Sequence, residues 1–311
     1  MSVALAQRLG YDPDDRVVIF HADDLGMCHG SNQAFLELVD AGMLTCGSIM
    51  TPCPWATEMI QLCAARPDLD VGIHLTLTSE WPQYRWGPLV RRAPADGLTG
   101  ADHCFWATVS EVEAHADPVA AEAESRAQID LVVDAGIRIT HLDTHMGSAL
   151  IPSLADIYLR LGIDYDVPIV FAADADLFKL LELQTARLQE HHRRLATGMI
   201  AAGLPPVDFA RVTPLYGGSF ASSPSEGVYD AAIRDLKPGV TFFALHPNKP
   251  GDIETIDPRS AEWRGFEYRY FQSAHLANLL AQEGIHAIGM RAVYDLVRRE
   301  RAATSSVEDA S

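Results

Sequence analysis

RVVIFHADDLGMCHGSNQAFLELVDAG, from Arg16 to Gly42, reads as one complete strand–turn–helix unit. RVVIFHA is a short, apolar, β-branched run after an Asp/Pro-rich lead, the pattern of a buried strand. Ser31 is expected to cap the helix NQAFLELVDAG, and Gly42 stands where that helix should stop. The same unit recurs outward along the chain. LTCGSIM reads as a second strand, followed by a helix from about Trp55 to Arg66, and DVGIHLTLT reads as a third strand. VAAEAESRAQIDLVVDAG is a helix ending at Gly136, RITHLDTH a strand, PSLADIYLRLGI a helix and VPIVFA another strand. Residues 176–203 read as long, helical and charged, and TPLYG (Thr213–Gly217) as a further strand. EGVYDAAIRDL is a helix and GVTFFALHP a strand. A helix rich in Ala and Leu then precedes HAIGM and a last helix from Arg291.

Strand and helix alternate through short turns along nearly the whole chain, which argues for a parallel α/β architecture. Seven or eight units can be counted. The expectation is a (β/α) barrel or a distorted barrel, with a doubly wound open sheet as the alternative. In both, functional sites lie at the C-terminal ends of the strands. Residues 1–301 are expected to form one domain. Residues 79–116, rich in Trp, Pro, Gly and Arg, break the rhythm as an insertion on the rim. The polar end, 302–311, is expected to be disordered.

The chain has 311 residues, of which 48% are hydrophobic and 21% charged, and that is enough to bury a barrel-sized core. Its formal net charge is -18, an excess that repels phosphate backbones and anionic lipid. Nucleic acid and membrane surfaces are therefore not expected partners. The five cysteines form no C-x-x-C pair and read as reduced thiols rather than a disulfide frame. The start, MSVALAQRLGYDPDD, lacks the basic-then-apolar pattern of a signal peptide, and no apolar run approaches the ~20 residues of a membrane span. A cytoplasmic protein is expected, and a homo-oligomer is compatible with the sequence.

Three segments place acidic and imidazole groups where strands should end: HADDLG, GIHLTLT and HLDTHMG. Side chains alternate along a strand, so His74 shares a face with Gly72, Thr76 and Thr78, small neighbours that leave room for a ligand. A lone histidine is ordinarily a hydrogen-bonded core residue. HLDTHMG changes that balance, because His141, Asp143 and His145 fall on one face by the same period of two. Three ionisable groups there are costly unless paired, wet or bound to a metal. In HADDLG, Asp23 and Asp24 are adjacent. Two close carboxylates repel, a cation relieves the repulsion, and the alternative is a capping pair for the next helix. His246 ends the strand GVTFFALHP, where it is either a mouth residue or a turn histidine before Pro247. Trp81, Tyr84, Trp86 and Trp106 of the insertion either stack on sugar rings, staple the rim or make a subunit contact.

With those residues in view, the chain resembles the YdjC-like carbohydrate deacetylases, the family of the chito-oligosaccharide deacetylases. The resemblance rests on ADDLG, on Gly72-Ile73-His74, on HLDTH and on Leu245-His246-Pro247, in that order. It implies a (β/α)-barrel-like fold and one divalent metal held by Asp24, His74 and His145. It also implies Asp23 as catalytic base and His246 as acid or substrate contact. The chain departs from the family where Met146-Gly147-Ser148 follows HLDTH and where Val170-Phe171-Ala172 replaces a segment that often carries arginine.

The reaction so implied is hydrolysis of the acetamide of an N-acetylated sugar. Two imidazoles and a carboxylate favour zinc, manganese or cobalt, and the family keeps magnesium among the candidates. Two other readings use the same ligands: a non-haem iron oxygenase, and a non-catalytic metal-dependent sugar-binding or regulatory protein.

Overall fold

The computed structural model describes residues 4–90, 96–174, 186–212 and 223–308. Seven strands carry the fold: β1 (Arg16–Leu25), β2 (Cys46–Ile49), β3 (Val71–Leu75), β4 (Leu142–Thr144), β5 (Phe209–Val212), β6 (Gly239–Leu245) and β7 (Ile285–Ala287). Their order is β4-β3-β2-β1-β6-β5, with β7 paired to the first residues of β1, and every pairing is parallel. Beyond β4 the segment 168–173 carries the sheet onward. Val170 N donates to Leu142 O on one side, and Ala173 N donates to Val207 O on the other. Parallel bridges Leu142↔Ile169 and Ala172↔Val207 mark the same path. The sheet therefore curls from β4 round to β5 as a distorted (β/α) barrel, as the strand–helix alternation predicts.

The period-two alternation of β1 sorts its side chains into two cores. Val17 and Ile19 pack with Cys46, Val240, Phe242 and Ala244 along the barrel axis. Val18, Phe20 and Ala22 pack outward against helix residues such as Phe35, Leu38 and Met59. Continuing the axial row upward gives His21 and Asp23 on β1, and past Ala244 it gives His246 at the end of β6. The axis is thus apolar at its base and ionisable toward the strand C-terminal ends.

The helix after β1 covers His29–Asp40 rather than starting after Ser31. Gly26, at φ 85°, turns the chain directly after β1, and its position admits no Cβ, which would lie 2.9 Å from Ala56 Cα. The helix therefore opens early. Ser31 sits in its first turn, its hydroxyl donating to Cys28 O and accepting from Cys28 N.

The insertion is sewn to the barrel by the buried Glu124 of the helix Pro118–Val133. Its carboxylate accepts from Leu89 N at 3.0 Å and Val90 N at 2.9 Å. Three of the insertion aromatics, Tyr84, Trp86 and Trp106, bond to backbone carbonyls. Trp86 Nε1 donates to Thr78 O, Trp106 Nε1 to Gly97 O, and Tyr84 Oη to Met27 O, while Trp106 stacks on His115. The last helix, Met290–Glu308, runs past residue 301, with no Gly or Pro to break it. Residues 309–311, TPLYG and the first part of the 176–203 stretch lie outside the described residues. Among the described residues no helix is long and apolar enough to cross a membrane, and all five cysteines are free thiols.

Candidate metal centre

Adjacent residues of a strand normally point to opposite faces. Asp23 and Asp24 escape that rule because the register of β1 against β2 shifts between Ala22 and Leu25, and Asp24 adopts φ 62°. Such a bulge, with a non-glycine residue in the left-handed region, re-aims a side chain at a strand end at some conformational cost. Both carboxylates thereby serve one mouth. Asp24 is buried, while Asp23 keeps 13% of its side chain exposed.

His74 on β3 stands beside Asp143 on β4, its register partner. β4 ends at Thr144, and His145 opens a turn in which Met146 and Gly147 have φ 52° and 71°. Thr144 Oγ1 accepts from Ala149 N, and Ser148 Oγ donates to His145 O, which fixes the turn. The expected common face of His141, Asp143 and His145 is thus broken at its last member, because the strand stops one residue short. His141 goes with His21, their Nε2 atoms 2.8 Å apart. His145 goes with Asp24 and His74.

Asp24, His74 and His145 each turn one donor atom toward a common point, all within 4.8 Å of one another. Asp24 Oδ1 lies 3.3 Å from His145 Nδ1 and 3.6 Å from His74 Nε2, and no group donates to it in hydrogen-bond geometry. The opposite atom of each residue is already tethered. Arg264 Nη1 donates to Asp24 Oδ2 at 2.8 Å. Asp143 Oδ2 makes an ion-pair contact of 2.9 Å with His74 Nδ1, off the direction of an aligned hydrogen bond. Glu80 brackets His145 Nε2 with both oxygens at 3.1 Å. An orphaned buried carboxylate oxygen facing two imidazole nitrogens, each held from behind by a carboxylate, is a donor set that fits a divalent cation. Among the described residues two other trios lie within the same distance, His21–His141–Asp143 and Asp23–His74–Asp143. In the first, the two imidazoles already bond to each other.

The electrostatics agree with a cation site. Burial alone would raise the Asp24 carboxyl, but Arg264, His145 and His246 outweigh it and hold it well below the usual range. Burial lowers His145, yet Glu80 and Asp24 push it up to about 10. Burial likewise lowers His74, and Asp143 overrides it, so His74 is raised. Burial dominates at His246, which is driven down to about 4 despite Asp24.

Asp23 and His246 complete the mouth. Asp23 Oδ1 is 2.7 Å from His21 Nδ1, and Asp23 Oδ2 is 3.8 Å from His246 Nε2. The side chains missed in the sequence are Glu80, Arg264 and His21. Arg264, 1% exposed on the helix Ala261–Phe271, lies 240 residues from Asp24, so no local pattern reports it. His21 was detectable, since it precedes Asp23 by the strand period of two.

Residues 17–282 match the family model described as YdjC-like protein. The chain belongs to the YdjC-like family. This YdjC-like chain is 38% identical over 167 residues to a carbohydrate deacetylase of Thermus thermophilus, the match covering 53% of the chain and 57% of the relative. It is 31% identical over 152 residues to a carbohydrate deacetylase of Brevibacillus brevis, covering 49% and 58%. The matches thus span little more than half the length of these curated relatives. A crystal structure of a candidate cellobiose-phosphate cleavage protein from Enterococcus faecalis superposes with a TM-score of 0.71 at 20% identity. That match covers 90% of this chain and 99% of the other, a likeness of fold.

Proposed function

We propose that this chain is a metal-dependent hydrolase that removes an acetyl group from an N-acetylated sugar or oligosaccharide. One observation carries the reading. Asp24 Oδ1 is buried without a hydrogen-bond partner opposite His74 Nε2 and His145 Nδ1, and Asp23 stands next to it at the mouth. The substrate class follows from the relatives named carbohydrate deacetylase.

Asp24, His74 and His145 would hold the ion. Their mixed nitrogen and oxygen set suits zinc, manganese or cobalt, with magnesium kept by family membership. When bound, such an ion polarises a carbonyl and lowers the pKa of water. The remaining steps belong to the chain's own side chains. Asp23, with one oxygen toward His21 and the other toward the mouth, takes a proton from water as its oxygen adds to the acetyl carbon. His246, neutral above about pH 4, is 3.8 Å away and receives that proton from Asp23. It then delivers the proton to the amide nitrogen as the C–N bond breaks, leaving acetate and a free amine.

A protein that only bound sugar through a metal would need the three ligands alone. The pairing of Asp23 with His246 favours catalysis over that reading.

The test is acetate release. Metal-stripped protein is reloaded separately with zinc, manganese, cobalt and magnesium, then incubated with N-acetylated mono- and oligosaccharides. The expected result is acetate and amine in equal amounts with at least one ion and none in chelator. Absence of acetate with every ion and sugar would overturn the proposal.

A further inference from the structure

A chain of hydrogen-bond contacts runs from Asp23, near the C-terminal end of β1, to Asp70, which directly precedes β3. Asp23 Oδ1 is 2.7 Å from His21 Nδ1, and His21 Nε2 is 2.8 Å from His141 Nε2. His141 Nδ1 is 2.9 Å from Thr140 Oγ1, and Thr140 Oγ1 is 2.5 Å from Asp70 Oδ1. Asp70 is fixed in turn, its Oδ2 accepting from Arg291 N at 2.7 Å. His21, Thr140 and His141 are fully buried, and Asp70 nearly so. The fold makes room for the chain deliberately: a Cβ on Gly72 would lie 2.6 Å from His141 Nε2, and one on Gly289 would lie 2.3 Å from Asp70 Oδ2.

The reaction just proposed gives no chemical step to His21, His141, Thr140 or Asp70. Its chemistry is directional. A neutral imidazole has one donor nitrogen and one acceptor nitrogen, and a hydroxyl has one proton. Once the Asp23 end is set, the two neutral imidazoles follow in turn. If Asp23 is an ionised acceptor, His21 must carry its proton on Nδ1, and its Nε2 must accept from His141 Nε2–H. His141 Nδ1 must then accept from the Thr140 hydroxyl, which also lies 2.5 Å from Asp70 Oδ1 and 3.2 Å from Val71 O.

We propose that His21 is the positioning residue of Asp23, and that His141 and Thr140 fix which nitrogen of His21 bears the proton. His21 thus holds Asp23 Oδ1 and leaves Oδ2 as the free, proton-accepting oxygen. The surroundings are consistent with that sense. Burial raises the Asp70 carboxyl, against the opposing pull of Thr140 and Arg291. Burial and the neighbouring His21 drive His141 down to about 3, so that it stays neutral. This inference rests on the deacetylase reading for its kinetic consequence, and its tautomers follow from the contact geometry with Asp23 ionised.

The test has two arms on the full-length, ion-loaded protein. In the kinetic arm, His21→Leu is expected to lower kcat by ~10-fold or more, as a displaced catalytic group does, with KM and ion content unchanged. His21→Asn, which offers an amide donor at the Nδ1 position, restores much of the loss. The isosteric Thr140→Val lowers kcat less, and adds nothing when combined with His21→Leu. In the second arm, imidazole nitrogen NMR is expected to find His21 as the Nδ1–H tautomer and His141 as the Nε2–H tautomer, with Thr140→Val mixing the two forms. A wild-type kcat in His21→Leu, or His21 carrying its proton on Nε2, would overturn the proposal. The expected tautomers in a protein that releases no acetate would support the hold on Asp23 and remove the deacetylase reading instead.

Discussion

Asp23 and Asp24 are chemically identical neighbours given different surroundings by one backbone angle. The φ of 62° at Asp24 sends its carboxylate into the buried trio, where Arg264 keeps it ionised, while Asp23 stays at the mouth. Asp23→Asn should therefore keep its bound ion, measured by metal analysis, and lose at least ~10²-fold in kcat, the usual worth of a general base. A near-wild-type rate would reduce Asp23 to a partner of His21. His145 yields a pH prediction. Because Glu80 and Asp24 push it up to about 10 in the ion-free protein, it carries a proton at pH 7 that an incoming ion must displace. A raised pKa means the proton competes at every pH below about 10, so ion affinity should climb as pH rises toward that value. Calorimetry in buffers of different ionisation enthalpy should show about one proton released per ion at pH 7. Binding without proton release would contradict the assignment of His145.

At the scale of the strand, β3 and β4 can lie side by side with an imidazole between them because residue 72 has no side chain. A Cβ there would stand 2.5 Å from His141 O and 2.6 Å from His141 Nε2, closer than any real contact allows. Gly72→Ala should cost about 1–3 kcal/mol by overpacking, seen as a fall of several degrees in Tm by thermal unfolding. An unchanged Tm would show that β3 and β4 separate without penalty. The period of two read Gly72 and His74 correctly onto one face of β3, since that strand runs its full length. It failed at His145 because β4 stops at Thr144, and the turn through Met146 and Gly147 depends on left-handed angles that the residue types do not announce. Ser31 was misplaced for a related reason: the turn at Gly26 starts the helix before the capping pattern does.

Across the whole molecule, the barrel was legible because each unit is local, an apolar run, a short turn and an amphipathic helix. The closeness of Asp24, His74 and His145 was implied by family resemblance, not by any local pattern. What the sequence hid was the support behind them, since Glu80 lies 65 residues from His145 and Arg264 lies 240 from Asp24. Those side chains are brought together by the tertiary fold. The account stands on one divalent ion at that meeting point. The most direct measurement is anomalous diffraction at the absorption edge of the bound metal, on crystals of the zinc- or manganese-loaded protein. A single peak at about 2.0–2.2 Å from Asp24 Oδ1, His74 Nε2 and His145 Nδ1 is predicted. A peak between His21, His141 and Asp143, or no peak at all, would contradict it.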